Sequence, residues 1–260
     1  MNVPLRGAAL LVPLAIAAAS ASCRKPAEEP AIAVAAAADL TLAFGEIGAA
    51  FERTTGRRVT FSFGSTGLLA KQIEEGAPFR VFAAASVAFV DRVVRQGACL
   101  EDTRALYARG ALAIYSAEGA RARPVRLADL VDPGVARIAI ANPEHAPYGA
   151  AAVDALRRAG VLDAVRPKLV HGENVRQALQ FAATGNADVA IVARSLEGTS
   201  PGTFAPIDTA LHAPIDQAIV VCKGSGPDAA GEAGARAFAS FVASPEGRAI
   251  LARHGFLEPR

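Results

Sequence analysis

The sequence predicts an α/β protein built as two lobes, and three observations carry that prediction. Apolar runs of strand length alternate with longer stretches of helical spacing, the pattern of a parallel sheet covered by helices. The alternation runs from Ala31 to Gly97 and starts again at Gly110, so a second β-α set follows the first. The chain has 260 residues, enough for one large domain or two lobes of ordinary size.

Ala31 to Ala37 suits a buried parallel strand, and Leu40 to Thr54 carries Leu42, Phe44, Ile47, Ala50 and Phe51 close to helical spacing. Gly56 stops that helix. Val59 to Phe63 reads as a strand, Leu68 to Glu75 as a helix, Val81 to Ala85 as a strand, and Val87 to Gln96 as a helix closed by Gly97. In the second set Gly110 to Ser116 is a strand, Leu127 to Leu130 a short helix, Arg137 to Ala141 a strand and Ala150 to Ala159 a helix. Val175 to Ala183 is helical, Ala187 to Ala193 and Ile215 to Val221 are strands, and Gly231 to Val242 and Pro245 to Arg253 close the chain as helices. The chain is expected to cross between lobes near Tyr107 to Ala111 and near Ala213 to Ala218. Residues 31–108 and 217–260 then form the first lobe, and 109–216 the second. A ligand belongs between them, at the carboxyl ends of the strands.

The N-terminus reads as an export signal over residues 1–22. Arg6 gives a positive start, Ala8 to Ala19 an apolar stretch, and Ser20-Ala21-Ser22-Cys23 a small-residue processing site. The mature chain is therefore expected outside the cytoplasm. Two readings of Cys23 stay open. It is lipidated, as in a bacterial lipobox, with residues 23–30 as a tether, or the signal is cut near Ala21 and those residues are a frayed end. No later apolar run reaches the length of a membrane span.

The formal charge of +2 falls to +1 once residues 1–22 are removed, because Arg6 is their one charged residue. That balance gives no basic field for nucleic acid. Cys99 and Cys222 are read as two small buried hydrophobes rather than a pair, since free Cys is among the most buried residue types. His145, His171, His212 and His254 lack metal-ligand spacing, so no structural metal is expected.

The most informative stretch is Phe63-Gly64-Ser65-Thr66-Gly67, which joins a strand to a helix. Small hydroxyl residues at a helix start offer an anion free N–H groups and the positive end of the helix dipole. Asp39, Pro147-Tyr148-Gly149 and Gly172-Glu173-Asn174 stand at three further helix starts, so four could converge on one small oxyanion. Taken alone, Ser65 and Thr66 are equally good turn and cap residues; the four loops together favour a ligand.

These loops carry a resemblance. Ala35-Ala36-Ala37-Ala38-Asp39-Leu40, Ser62-Phe63-Gly64-Ser65-Thr66-Gly67 with Leu69-Ala70-Lys71-Gln72-Ile73 and Gly76-Ala77-Pro78, Asn142-Pro143-Glu144-His145-Ala146-Pro147-Tyr148-Gly149, and Val175-Arg176-Gln177-Ala178-Leu179 resemble the molybdate-binding proteins of bacterial ABC import systems. Ser244-Pro245-Glu246-Gly247-Arg248 with His254-Gly255-Phe256 is similar to that family's ending. The resemblance implies a two-lobed type II periplasmic binding protein, monomeric, that delivers molybdate or tungstate to a permease and has no cofactor. It implies oxyanion ligands at Ala38 and Asp39, at Thr66 supported by Ser65, and at the backbone N–H groups of Tyr148 and Val175. No residue is expected to touch the metal atom itself.

Two positions depart from the family. Asp39 stands where Ser or Asn is usual, and an ionised carboxylate cannot donate to an oxyanion. It is read as a cap of the following helix, with a protonated carboxyl or a different ligand as the other possibilities. Ala193 replaces a Tyr hydroxyl found in some members, and Ser195 is the nearby candidate to replace that donor. Glu144-His145 is read as structural, and Arg176 as pointing to solvent or to a neighbouring carboxylate. Other ligands remain open: phosphate, sulfate or an organic acid. A hydrolase or nucleotide enzyme is disfavoured, because no GxSxG elbow, GxGxxG or Walker loop occurs.

Overall fold

The computed structural model describes residues 30–226 and 228–259. The export signal, Cys23 and nearly all of the tether lie outside them. Two five-stranded sheets result. The first has the order β2-β1-β3-β10-β4, and the second β7-β6-β8-β5-β9.

The first sheet is built from β1 (Ile32–Ala37), β2 (Val59–Gly64), β3 (Val81–Ala84), β4 (Ala105–Gly110) and β10 (Ile215–Val221). Its helices are α1 (Thr41–Thr55), α2 (Thr66–Glu74), α3 (Val87–Arg95), α7 (Ala229–Ala243) and α8 (Pro245–Arg253). The second sheet holds β5 (Leu112–Ala117), β6 (Ile138–Ala141), β7 (Leu169–Gly172), β8 (Val189–Ala193) and β9 (Gly202–Pro206), with α4 (Pro147–Arg158), α5 (Leu162–Val165) and α6 (Val175–Ala183).

β1 pairs in parallel with β2 and β3, and β6 with β7 and β8, as the alternating β-α pattern requires. Antiparallel strands complete each sheet. β10 runs against β3 and β4, and β5 against β8 and β9. These strands arrive from the other lobe or through short turns, so no helical crossover forces them parallel.

Chain chemistry explains the elements. α1 ends where Gly56 takes the left-handed conformation, φ 73°, and returns its N–H to Glu52. Its apolar face carries Phe44 and Phe51, whose rings meet Phe238 of α7 at 6.0 and 5.3 Å, both edge-on. Each such burial contributes about 1.5–3 kcal/mol, which fixes both helices on the sheet.

Three strands depart from expectation. The strand expected from Gly110 to Ser116 is β5, and β4 just before it is not expected from the sequence; Arg109 in β4 hides the strand pattern and pairs with Asp216 of β10 at 2.6 Å. β7 and β9 are short edge strands, and β9 ends in proline, so neither shows a strong apolar signature.

Cys99 and Cys222 form a disulfide, which corrects their reading as separate hydrophobes. Both are buried, but Cys99, in the turn after α3, and Cys222, the residue after β10, face each other as an isolated antiparallel bridge. Sequence spacing could not show this, because 123 residues separate them. Among the described residues no helix is long and apolar enough to cross a membrane.

Candidate functional site

The carboxyl ends of β1, β2, β6 and β7 meet between the lobes, and each leads into a helical start. β1 runs into a 3-10 turn, Ala38–Leu40, before α1. β2 leads through Ser65 into α2, β6 through residues 142–146 into α4, and β7 through Glu173 and Asn174 into α6. Ala38, Asp39, Ser65, Thr66, Tyr148 and Val175 all line one small void of about 10 Å³, together with Ala85, Pro147 and Asn174. The structure therefore brings all six expected positions together, from both lobes.

The helix starts are built for donation. Neither Ser65 before α2 nor Ala146 before α4 makes a side-chain cap bond. Asn174 does cap α6, but it takes the amides of Arg176 and Gln177 and leaves that of Val175. Pro147 at the first position of α4 has no N–H to satisfy, which places the Tyr148 amide foremost. The Thr66 hydroxyl accepts the Ala85 N–H at 3.2 Å, so its own proton stays free to donate. Among the described residues no Lys or Arg lines the void. Exposed N–H groups and helix dipoles are its positive elements.

Asp39 is not a cap. No side-chain bond caps either the 3-10 turn or α1. The carboxyl, 1% exposed, instead reaches the other lobe. Its Oδ2 accepts from the Tyr148 hydroxyl at 2.9 Å and from Gln217 Nε2 at 2.6 Å. Gln217 Oε1 accepts from Tyr107 at 2.6 Å. The network thus joins the turn after β1 to α4, β10 and β4. Burial pushes the Asp39 carboxyl up to about 6, against the pull of the bonds from Gln217 and Tyr148. Burial also raises both tyrosines well above 10, so they stay neutral donors.

Ser195 does not replace the missing donor at Ala193. Its hydroxyl donates to the Asp39 carbonyl at 2.9 Å and is buried there. Tyr148 is not a surface aromatic; it is 3% exposed and its hydroxyl is committed to Asp39. Arg176 is exposed, as expected. Glu144 is exposed, while His145 meets the other lobe. The Ser65 hydroxyl donates to the His145 carbonyl at 2.8 Å and lies 2.7 Å from its Nδ1, and the Gly67 N–H bonds the same carbonyl at 2.9 Å. Sequence reasoning missed Gln217 and Tyr107, and it read His145 as structural without seeing that it braces Ser65. Gln217 alone left a signal, a polar residue inside the apolar run Ile215–Val221.

A groove of about 740 Å³ runs beside the void. Several of the charges along it are held in ion pairs: Asp154 pairs with Arg157 and Arg158, and Asp216 with Arg109. Among the described residues no group of His, Cys, Asp and Glu could hold a metal ion.

Residues 32–257 match the family described as bacterial extracellular solute-binding protein. The chain is 37% identical to the molybdate-binding protein ModA of Rhodobacter capsulatus, over 89% of this chain and 90% of that one. It is 36% identical to ModA of Azotobacter vinelandii, over 94% and 95%. The solved Azotobacter vinelandii periplasmic molybdate-binding protein superposes with a TM-score of 0.79 at 30% identity, covering 88% of this chain and all of that one. The sulfate-binding protein SubI of Mycobacterium tuberculosis, at 16% identity and a TM-score of 0.71, shares the fold.

Proposed function

The chain belongs to the bacterial extracellular solute-binding proteins, among its molybdate-binding members, and from that premise we propose that it captures molybdate or tungstate outside the cytoplasm and delivers it to an ABC permease. The observation that carries the proposal is the convergence of helical starts from both lobes on one void free of Lys and Arg. A dianion is held there by charge-assisted hydrogen bonds, each worth about 1.5–3 kcal/mol, without a neutralising cation.

The first-lobe contacts are the Ala38–Asp39 turn and Thr66, with Ser65 bracing the loop against His145. The second-lobe contacts are the amides of Tyr148 and Val175. All of these groups bond ligand oxygens, and none reaches the metal atom. The anion docks on the first lobe, and closure brings the second-lobe amides onto it, a population shift driven by the contacts that only the closed form makes. All six proposed ligand positions lie in one chain, which supports a monomer as the binding unit. Its Cys23 anchors it to the membrane if lipidated, which labelling with a fatty-acid analogue tests.

Isothermal titration of the processed chain with molybdate, tungstate, sulfate and phosphate at neutral pH tests the proposal. Tight binding of the first two and none of the others is expected. Binding of sulfate or phosphate in their place would move the assignment to that oxyanion.

A further inference from the structure

The two oxygens of the Asp39 carboxyl have different surroundings. Oδ2 is saturated by Tyr148 and Gln217. Oδ1 is buried and accepts no hydrogen bond, in a residue that lines the void. A buried carboxylate oxygen without a donor is costly, and beside an oxyanion it would add like-charge repulsion. A neutral carboxylic acid reverses both effects. Its O–H donates, and it carries no charge.

The groups around Asp39 fit the neutral form. Tyr148 faces it from α4, and Tyr107 reaches it through Gln217, from β4 and β10. Ser195, from the turn after β8, bonds its carbonyl. His145 is engaged with Ser65 across the cleft, and Arg109 is closed on Asp216. Among the described residues no cation bonds the carboxyl. Burial already pushes Asp39 up to about 6, and a dianion alongside pushes the same way.

We infer that Asp39 is a specificity-determining donor of this site, binding the oxyanion as a neutral acid through Oδ1–H, so that each captured dianion brings one proton from solvent. This rests on the oxyanion reading above. The site then favours anions that carry no proton of their own, because a protonated anion would need an acceptor where Asp39 presents a donor.

The test is titration with molybdate at pH 7.5 in two buffers of different protonation enthalpy, repeated from pH 7 to 9, on the parent and on Asp39→Asn. The asparagine keeps an acceptor for Tyr148 and Gln217 and places a permanent donor at the Oδ1 position. The parent is expected to take up close to one proton per anion and to lose about tenfold in affinity per pH unit. Asp39→Asn is expected to take up none and to bind with a flat pH profile. Molybdate binding to the parent without proton uptake overturns the inference, and so does an equal pH slope in the variant. Phosphate binding without uptake would also overturn it, since Asp39 would then be an ionised acceptor in an intact oxyanion site. No heat with molybdate, tungstate, sulfate or phosphate in either protein removes the oxyanion reading itself. Should the variant not fold, the proton count of the parent decides alone.

Discussion

Position 39 also carries a stability effect that is separate from any ligand. The carboxyl lies near 3.8 ordinarily and at about 6 in the fold, so between those values the folded state holds more protons than the unfolded one. Its contribution is therefore most favourable below about pH 4, is lost as the pH rises to about 6, and stays lost above that. In urea unfolding, Asp39→Asn should match the parent near pH 4 and exceed it by about 1–3 kcal/mol at pH 8. A variant weaker than the parent at pH 8 would mean that the bonds to Oδ2 outweigh burial. At Thr66 both binding and stability are expected to change. Thr66→Ala removes one donor to the anion and the acceptor of the buried Ala85 N–H, so it should weaken molybdate about ten- to a hundred-fold and lower unfolding stability by about 1–3 kcal/mol. Both residues could be picked out in the sequence as helix-start positions, but only their neighbourhood was readable. The partners of Asp39 lie 109 and 178 residues away, and no local pattern reports them. Its tempting local role, capping, lost to a network that only the folded lobes assemble.

At the scale of elements, the loop between β2 and α2 is where the lobes touch. A Cβ on Gly67 would fall 2.8 Å from the His145 carbonyl oxygen and 2.9 Å from the His145 Cβ, both in the second lobe. It would also meet the movable Phe89 ring at 3.0 Å. Gly67→Ala should therefore hinder closure more than folding: binding weaker by about tenfold or more, with far-UV spectra and melting near the parent's. A loss of several degrees in melting would place the defect in the first lobe's own packing. Helices and central strands were legible because their apolar periodicity is strong, as in Leu42, Phe44, Ile47 and Phe51. β7 and β9 were not, since an edge strand needs few apolar residues and β9 is half exposed.

For the whole molecule, the disulfide and the binding site occupy opposite ends of the first sheet. β10 pairs Ala218 with Ala84, at the site end of β3, and Val221 with Val81, at the other end, next to Cys222. Removing the bridge with Cys99→Ser and Cys222→Ser should lower unfolding stability by about 2–4 kcal/mol while molybdate affinity stays within a few-fold. A large loss of affinity would show that the bridge also sets the cleft. The two-lobe plan was legible from the repeated β-α pattern, whereas the pairing of two cysteines is a property of the finished sheet.

β10 sits between β3 and β4, although the chain makes it last of the ten strands. The first sheet therefore has a gap between β3 and its edge strand β4 until residue 221 has been synthesised and has left the cytoplasm, and the cysteine beside it closes a covalent ring around every strand of the second sheet. Maturation is thus ordered along the chain. An exporting molecule stays open and reduced through most of its passage, its early strands have an unfinished edge that invites aggregation, and the final stretch of the polypeptide, from β10 onward, turns the assembly into a sealed, oxidised receptor in one late step.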